Sequence, residues 1–245
     1  DISLKNNRLK ILHKSLNFQF YKSDLVKKND TASIFVKYNF SHVVHLSAQV
    51  GINYSIKDPQ SYIDANITGF LNVLENCKNY DVKNLIYASS SSVYGNNTKL
   101  PFLEDHKTDS PLSVYGVSKK VNELLAHSYS ALYQLQTIGL RFFTVYGPWG
   151  RPDMAYYIFT KSIMENKMID LFNDGHYRRS FTYVDDVIRP IYRLINTLDD
   201  LSLNSYEIFN IGGNESIQID RLVRIIENIL NKKAKITLQS KELGS

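Results

Sequence analysis

The stretch Asn84-Leu85-Ile86-Tyr87-Ala88-Ser89-Ser90-Ser91-Ser92-Val93-Tyr94-Gly95 decides how the chain is read. Asn84 to Ala88 is a short, mainly apolar run of the kind that forms a buried parallel strand. The serines follow at its carboxyl end, where open α/β sheets bind ligands. Downstream, Tyr115-Gly116-Val117-Ser118-Lys119 opens a run through Val121, Leu124, Leu125, Leu132 and Tyr133 with helical apolar spacing, so Tyr115 and Lys119 share one face, a turn apart. A free phenol ionises about three units too high to be a general base at neutral pH, and a nearby ammonium favours the phenolate. Hydroxyl, phenol and cation together suit removal of a proton from an alcohol. Tyr157-x-x-x-Lys161 repeats the spacing but has no strand-plus-hydroxyl segment at a matching offset, so Tyr115 and Lys119 form the candidate pair.

Around this centre strands and helices alternate. Phe18 to Tyr21 is expected to be a strand leading to Asp24, Thr31 to Tyr38 a helix, His42 to Leu46 a strand, and Gln60 to Asn79 a helix. The strand ending at Ala88, the helix from Tyr115 and a strand from Thr137 to Phe142 follow. Such alternation predicts βαβ units, and hence an α/β, doubly wound parallel (Rossmann-like) sheet with helices on both faces. Gly147-Pro148-Trp149-Gly150-Arg151-Pro152 marks a boundary. It divides a nucleotide-binding domain, residues 1–147, from a smaller α/β region, 148–245, some of whose segments return to the first domain. The second part reads as a helix from Tyr156 to Asn166, strands at Ile169 to Phe172 and Arg179 to Tyr183, a helix from Asp185, a strand from Tyr206 to Ile211 and a helix from Ile219 to Asn231.

A chain of 245 residues, 43% hydrophobic and 22% charged, can bury a substantial core. The net charge of +5 is spread among interspersed acidic residues. This argues for a modest attraction to phosphorylated small molecules and against nucleic acid. No apolar stretch reaches membrane-spanning length, and the lone Cys77 suits a packed thiol in a reducing compartment, so no membrane partner and a cytoplasmic location are expected. The six histidines show no metal-ligand spacing, and no metal is expected. None of the eleven glycines forms the glycine-rich turn that cradles a dinucleotide pyrophosphate. The chain is therefore expected to be a fragment lacking the first βαβ glycine-rich turn and the carboxyl-terminal end.

The serine run, the Tyr115/Lys119 pair, His45-Leu46-Ser47-Ala48-Gln49 and the string from Leu140 to Asp153 together resemble the extended short-chain dehydrogenase/reductases. Within them the chain is most similar to the nucleotide-sugar epimerases that act at C4 of UDP-glucuronate. The resemblance implies bound NAD, a UDP-sugar substrate and a homodimer. It also implies that Tyr115 takes the sugar 4-hydroxyl proton, Lys119 holds the nicotinamide ribose, and Ser90 hydrogen-bonds the reacting oxygen. By the same resemblance Asp24 lies at the adenine, Leu46, Ser47 and Ala48 along the pyrophosphate and ribose, Asn66 beneath the cofactor and Phe143 where the backbone meets the nicotinamide amide, with Leu25 and Ser89 also counted among the cofactor-binding residues. Ser91, Ser92 and Thr144 would contact the sugar or diphosphate, Phe172 the uracil, Arg179 the diphosphate and Arg151 the sugar carboxylate.

Departures from the family pattern also bear on substrate. Asn53 replaces an arginine expected near the carboxylate, Ser180 stands where an acidic residue commonly follows the diphosphate arginine, and the segment bearing a second diphosphate arginine is expected to be cut off after Gly244. Ser91-Ser92 occupies the place of the Asp-Glu pair of the nucleotide-sugar 4,6-dehydratases, arguing against elimination. A UDP-glucuronate decarboxylase, another nucleotide-sugar epimerase and, from a different class, a noncatalytic nucleotide-sugar-binding fragment stand as the alternatives.

Overall fold

The computed structural model describes residues 2–197, 205–213 and 215–239. Gly244, after which the second diphosphate arginine is expected to be missing, lies outside the described residues. The central layer is a four-stranded parallel sheet ordered β1-β2-β3-β7, formed by β1 (His42–His45), β2 (Asn84–Ser90), β3 (Gln136–Phe142) and β7 (Tyr206–Ile211). Ile86 sits opposite Val44 on one side and Ile138 on the other, so β2 is central. All seven of its residues are buried, as a strand covered on both faces requires. The expected parallel sheet is thus present, and β7 returns to it from beyond the Gly-Pro junction.

Helices cover both faces. On one side α2 (Lys28–Lys37), α5 (Gly69–Asn79) and α6 (Val114–Tyr133) bury Phe35, Phe70, Val73, Leu74, Cys77 and Ala126 against Leu85 and Tyr87. Positions 70, 73, 74 and 77 follow the helical repeat, and full burial of Phe70 contributes roughly 1.5–3 kcal/mol. On the other side α8 (Val184–Thr197) packs Val187 and Ile191 on Ile86, Ile138 and Leu140. A separate core joins α7 (Ala155–Met164), β5 (Met168–Phe172) and α9 (Ile219–Leu230) through Phe159, Ile163, Ile169, Leu171, Leu222, Val223 and Ile226. There β4 (Thr144–Tyr146) pairs parallel with β6 (Arg178–Tyr183), which pairs antiparallel with β8 (Ser216–Gln218), while β5 pairs with β9 (Lys235–Gln239).

Three expectations need correction. Phe18 to Tyr21 forms no strand, because β1 pairs only with β2 among the described strands and offers it no ladder partner; Tyr21 instead meets Tyr38 and Lys37 through its hydroxyl. The helix expected from Gln60 is broken into α4 (Pro59–Tyr62), a π-helical turn at Ile63–Thr68, and α5. Asp58 caps its start by accepting from Ser61 N at 3.3 Å. Helix α6 forms as expected, but Leu124, Leu132 and Tyr133 are exposed, whereas Ser118, Lys119, Asn122 and Glu123 are buried. Helices α1 (Ile2–Leu12) and α3 (Ile52–Lys57), and strands β4, β8 and β9, are additions to the sequence reading.

Candidate active site

The carboxyl end of β2 meets the amino end of α6. Ser113 caps α6, its hydroxyl accepting from Gly116 N at 3.0 Å. A β-carbon on Gly116 would come within 2.7 Å of Ser92 O, so only glycine lets the helix start approach the serine turn this closely. The approach sets Tyr115 beside Ser90. The Ser90 hydroxyl accepts from Ser92 N at 3.2 Å, organising the 3₁₀ turn Ser91–Tyr94, and lies near enough to the Tyr115 phenol to favour its ionised form. Burial raises the Tyr115 pKa above its ordinary value, while Ser90 and the Arg151 charge pull it down.

Lys119 points elsewhere. It is 1% exposed and donates from Nζ to Ala88 O at 2.9 Å; burial brings its pKa down to about 8. Its charge bears on His45, the last residue of β1, whose imidazole is driven down to about 3, first by burial and then by Lys119. The His45 Nε2 is buried without a hydrogen-bond partner, and its ring lies 5.1 Å from that of Phe70. Of the neighbouring charges, that of Arg151 bears on the Tyr115 phenol, while Lys119 is turned onto Ala88 O.

Arg151 reaches this centre from the loop before α7. Its Nη2 lies 4.0 Å from the point a β-carbon on Gly51 would occupy, and the Tyr62 hydroxyl lies 3.7 Å from the same point. Tyr62, fully buried, reaches Val50 O and Gly51 O at 2.9 and 2.6 Å, and its ring stands edge-on to Tyr115 at 6.2 Å. Arg151 Nε donates to Asp153 Oδ1 at 3.0 Å and Nη2 to Asp153 Oδ2.

Two of the expected cofactor contacts are engaged inside the protein. Ser89 Oγ donates to Glu123 Oε1 at 2.6 Å, because alternation along β2 turns it away from Ser90 and into the core. Asn66, on the π turn, accepts from Gln49 N at 2.7 Å and donates to Gln49 O at 3.0 Å and Ser118 Oγ at 2.9 Å. Its amide ties the β1 loop to α6. Asp24 Oδ1 accepts from Val26 N at 3.1 Å in the turn before α2, and Leu25 packs on Gly69. Leu46 and Ser47 are exposed beyond β1, Ala48 is half-buried, and Phe143 N donates to Ile211 O at 3.2 Å.

Thr144, Phe172 and Arg179 line one cleft of about 260 Å³, together with Met154, Tyr177 and Ile219. The Arg179 guanidinium lies 5.7 Å from the Tyr177 ring centre. A larger depression of about 630 Å³, lined by residues including Lys99, His106 and Ser110, lies over the 96–110 loop. It contains none of the candidate catalytic groups. Among the described residues no three His, Cys, Asp or Glu side chains form a metal site, and no helix is long and apolar enough to cross a membrane.

Sequence reasoning passed over Tyr62, Asp153, His45 and the buried pair Glu123–Arg141. Arg141 clasps Glu123 through Nε and Nη2 at 2.8 and 3.0 Å, and its Nη1 donates to Tyr94 Oη at 2.9 Å and Glu104 O at 3.0 Å. Glu123 stands one helical turn beyond Lys119, and that spacing was the available signal.

Residues 3–212 match the NAD dependent epimerase/dehydratase family. The chain is 47% identical to Protein CapI of Staphylococcus aureus, over 96% of this chain and 74% of that protein. It is 45% identical to the UDP-glucuronate 4-epimerase of Thermodesulfobacterium geofontis, over 96% of this chain and 71% of that one. The crystal structure of UDP-glucuronic acid 4-epimerase from Bacillus cereus, in complex with UDP-glucuronic acid and NAD, superposes with a TM-score of 0.90 at 34% identity, covering 100% of this chain and 76% of that one. On its parallel sheet and these likenesses, the chain belongs to the NAD-dependent epimerase/dehydratase family.

Proposed function

We propose that the protein is an NAD-dependent UDP-sugar 4-epimerase that interconverts UDP-glucuronate and UDP-galacturonate. The observation that carries this reading is the close approach of the α6 start to the serine turn at the carboxyl end of β2, which sets the Tyr115 phenol beside Ser90, with the Arg151 guanidinium bearing on the same phenol. The groups around it suit a dinucleotide. Exposed Leu46 and Ser47 offer a surface at the sheet edge, and Lys119 spends one of its three N–H donors on Ala88 O, leaving two for ribose hydroxyls. NAD, when bound, supplies a reversible hydride acceptor for C4.

The protein's own side chains handle the proton and the sugar. Tyr115, as phenolate, accepts the 4-hydroxyl proton while Ser90 holds the reacting oxygen, and Tyr115 returns the proton after the 4-keto sugar has presented its other face. Arg151 pairs with the sugar carboxylate, a charge-assisted contact worth roughly 1.5–3 kcal/mol, about ten- to a hundredfold in binding. Arg179 holds the diphosphate and Phe172 covers the uracil in the 260 Å³ cleft, with Thr144, Ser91 and Ser92 toward the sugar. This assigns cofactor binding chiefly to residues 1–147 and the nucleotide sugar chiefly to 148–245. The outward Val117, Leu124 and Leu71 on α6 and α5 support a homodimer, and the lone buried Cys77 supports a cytoplasmic location.

Product analysis by NMR tests the reading. UDP-galacturonate should form from UDP-glucuronate without loss of carbon dioxide, and Tyr115→Phe should lower turnover roughly a hundred- to ten-thousandfold, the order expected when a general base is removed. Faster turnover of UDP-glucose would reassign the substrate, and a pentose product would make the enzyme a decarboxylase.

A further inference from the structure

The loop residue Asp153 holds the edge of Arg151 formed by Nε and Nη2 in a two-point clasp. A guanidinium carries five N–H donors, so this grip leaves three. One of the three is on Nη2, the atom 4.0 Å from the Gly51 β-position that the Tyr62 hydroxyl also approaches, and the other two are on Nη1, outside the clasp. The Arg151 side chain is 38% exposed and Asp153 60% exposed. Without the clasp, a long side chain so open to water would sample many rotamers, and binding a substrate would have to restrict them.

We infer that Asp153 is a positioning residue for substrate selection: by clasping one edge of Arg151 it presents the opposite edge to a sugar carboxylate and so sets the preference for an acidic over a neutral UDP-sugar. The inference rests on the function proposed above. Asparagine at this position retains one acceptor oxygen but loses the second contact and the charge. The guanidinium is then free to swing, and the loss falls on the substrate that uses it.

The test compares UDP-glucuronate with UDP-glucose in the parent, Asp153→Asn and Asp153→Glu. In Asp153→Asn the ratio of kcat/KM for UDP-glucuronate to that for UDP-glucose should fall about tenfold, the low end for losing a charge-assisted hydrogen bond. The loss should appear in the KM for UDP-glucuronate more than in its kcat. Asp153→Glu, which keeps a two-oxygen acceptor, should recover much of the ratio. Equal losses for both substrates would mean a merely structural role and overturn the inference, as would a ratio in Asp153→Asn equal to that of the parent. A parent without preference for UDP-glucuronate would instead overturn the functional reading, and the inference with it.

Discussion

At the scale of single residues, the centre combines groups held away from their ordinary ionisation. Lys119 has a folded pKa near 8, below its unfolded value, so the unfolded chain binds more protons between about pH 8 and 10.5 and stability rises with pH across that window. Below pH 8 the buried ammonium costs about 3 kcal/mol. Lys119→Met should therefore unfold at a higher temperature than the parent at pH 7, with an advantage that fades toward pH 10.5, while losing turnover; an advantage independent of pH would contradict this origin. His45 works in the acid range. Its folded pKa near 3 lies below the unfolded value, so its neutral burial is stable above about pH 6.5 and is lost as pH falls toward 3. His45→Phe should flatten the decline of stability between those pH values, as read by urea midpoints. That Tyr115 and Lys119 stand one turn apart on α6 was legible in the sequence, because a helix places i and i+4 together. The partner of each was not: the charge of Arg151 that bears on Tyr115 is brought in by the chain fold across a gap no local spacing encodes.

At the scale of elements, α6 shows where pattern reading succeeds and stops. Its existence followed from apolar periodicity, yet its buried stripe is polar, because Ser118 binds Asn66, Lys119 binds Ala88 O, and Glu123 binds Ser89 and Arg141. Each of these polar groups is matched to another element, so a stripe that looks solvated in sequence is interior in the fold. The π turn at Ile63–Thr68 escaped detection for a related reason: its extra residue turns Asn66 toward the Gln49 backbone, a tertiary requirement. The Glu123–Arg141 pair, 1% and 4% exposed, fastens α6 to β3 beneath the serine turn. Removing one partner of a buried pair strands the other, at about 3–5 kcal/mol. Glu123→Gln should lose that much in urea unfolding and weaken the closure of the serine turn on α6; a loss under about 1 kcal/mol would show that water reaches Arg141.

For the whole molecule, the question is which concavity takes the nucleotide. The 260 Å³ cleft draws Thr144 from β4, Phe172 from β5, Arg179 from β6 and Ile219 from the start of α9, all elements assembled beside or around the second core. The 630 Å³ depression draws instead on the 96–110 loop, where Lys99 and Lys107 are accompanied by Asp105 and Asp109. Size favours the depression, but chemistry favours the cleft. A nucleoside diphosphate needs an aromatic surface for its base and a cation for its phosphates, and Phe172, Tyr177 and Arg179 supply them together. Free UDP at a hundred times its dissociation constant stabilises whatever it binds by about 2.7 kcal/mol. Hydrogen exchange should therefore slow in β5, β6 and the first turn of α9 when UDP is added, with little change at central β2, which is buried throughout. Protection confined to residues 96–110 would move the nucleotide to the larger depression, and would leave Arg179 and Phe172 as surface residues of the second core.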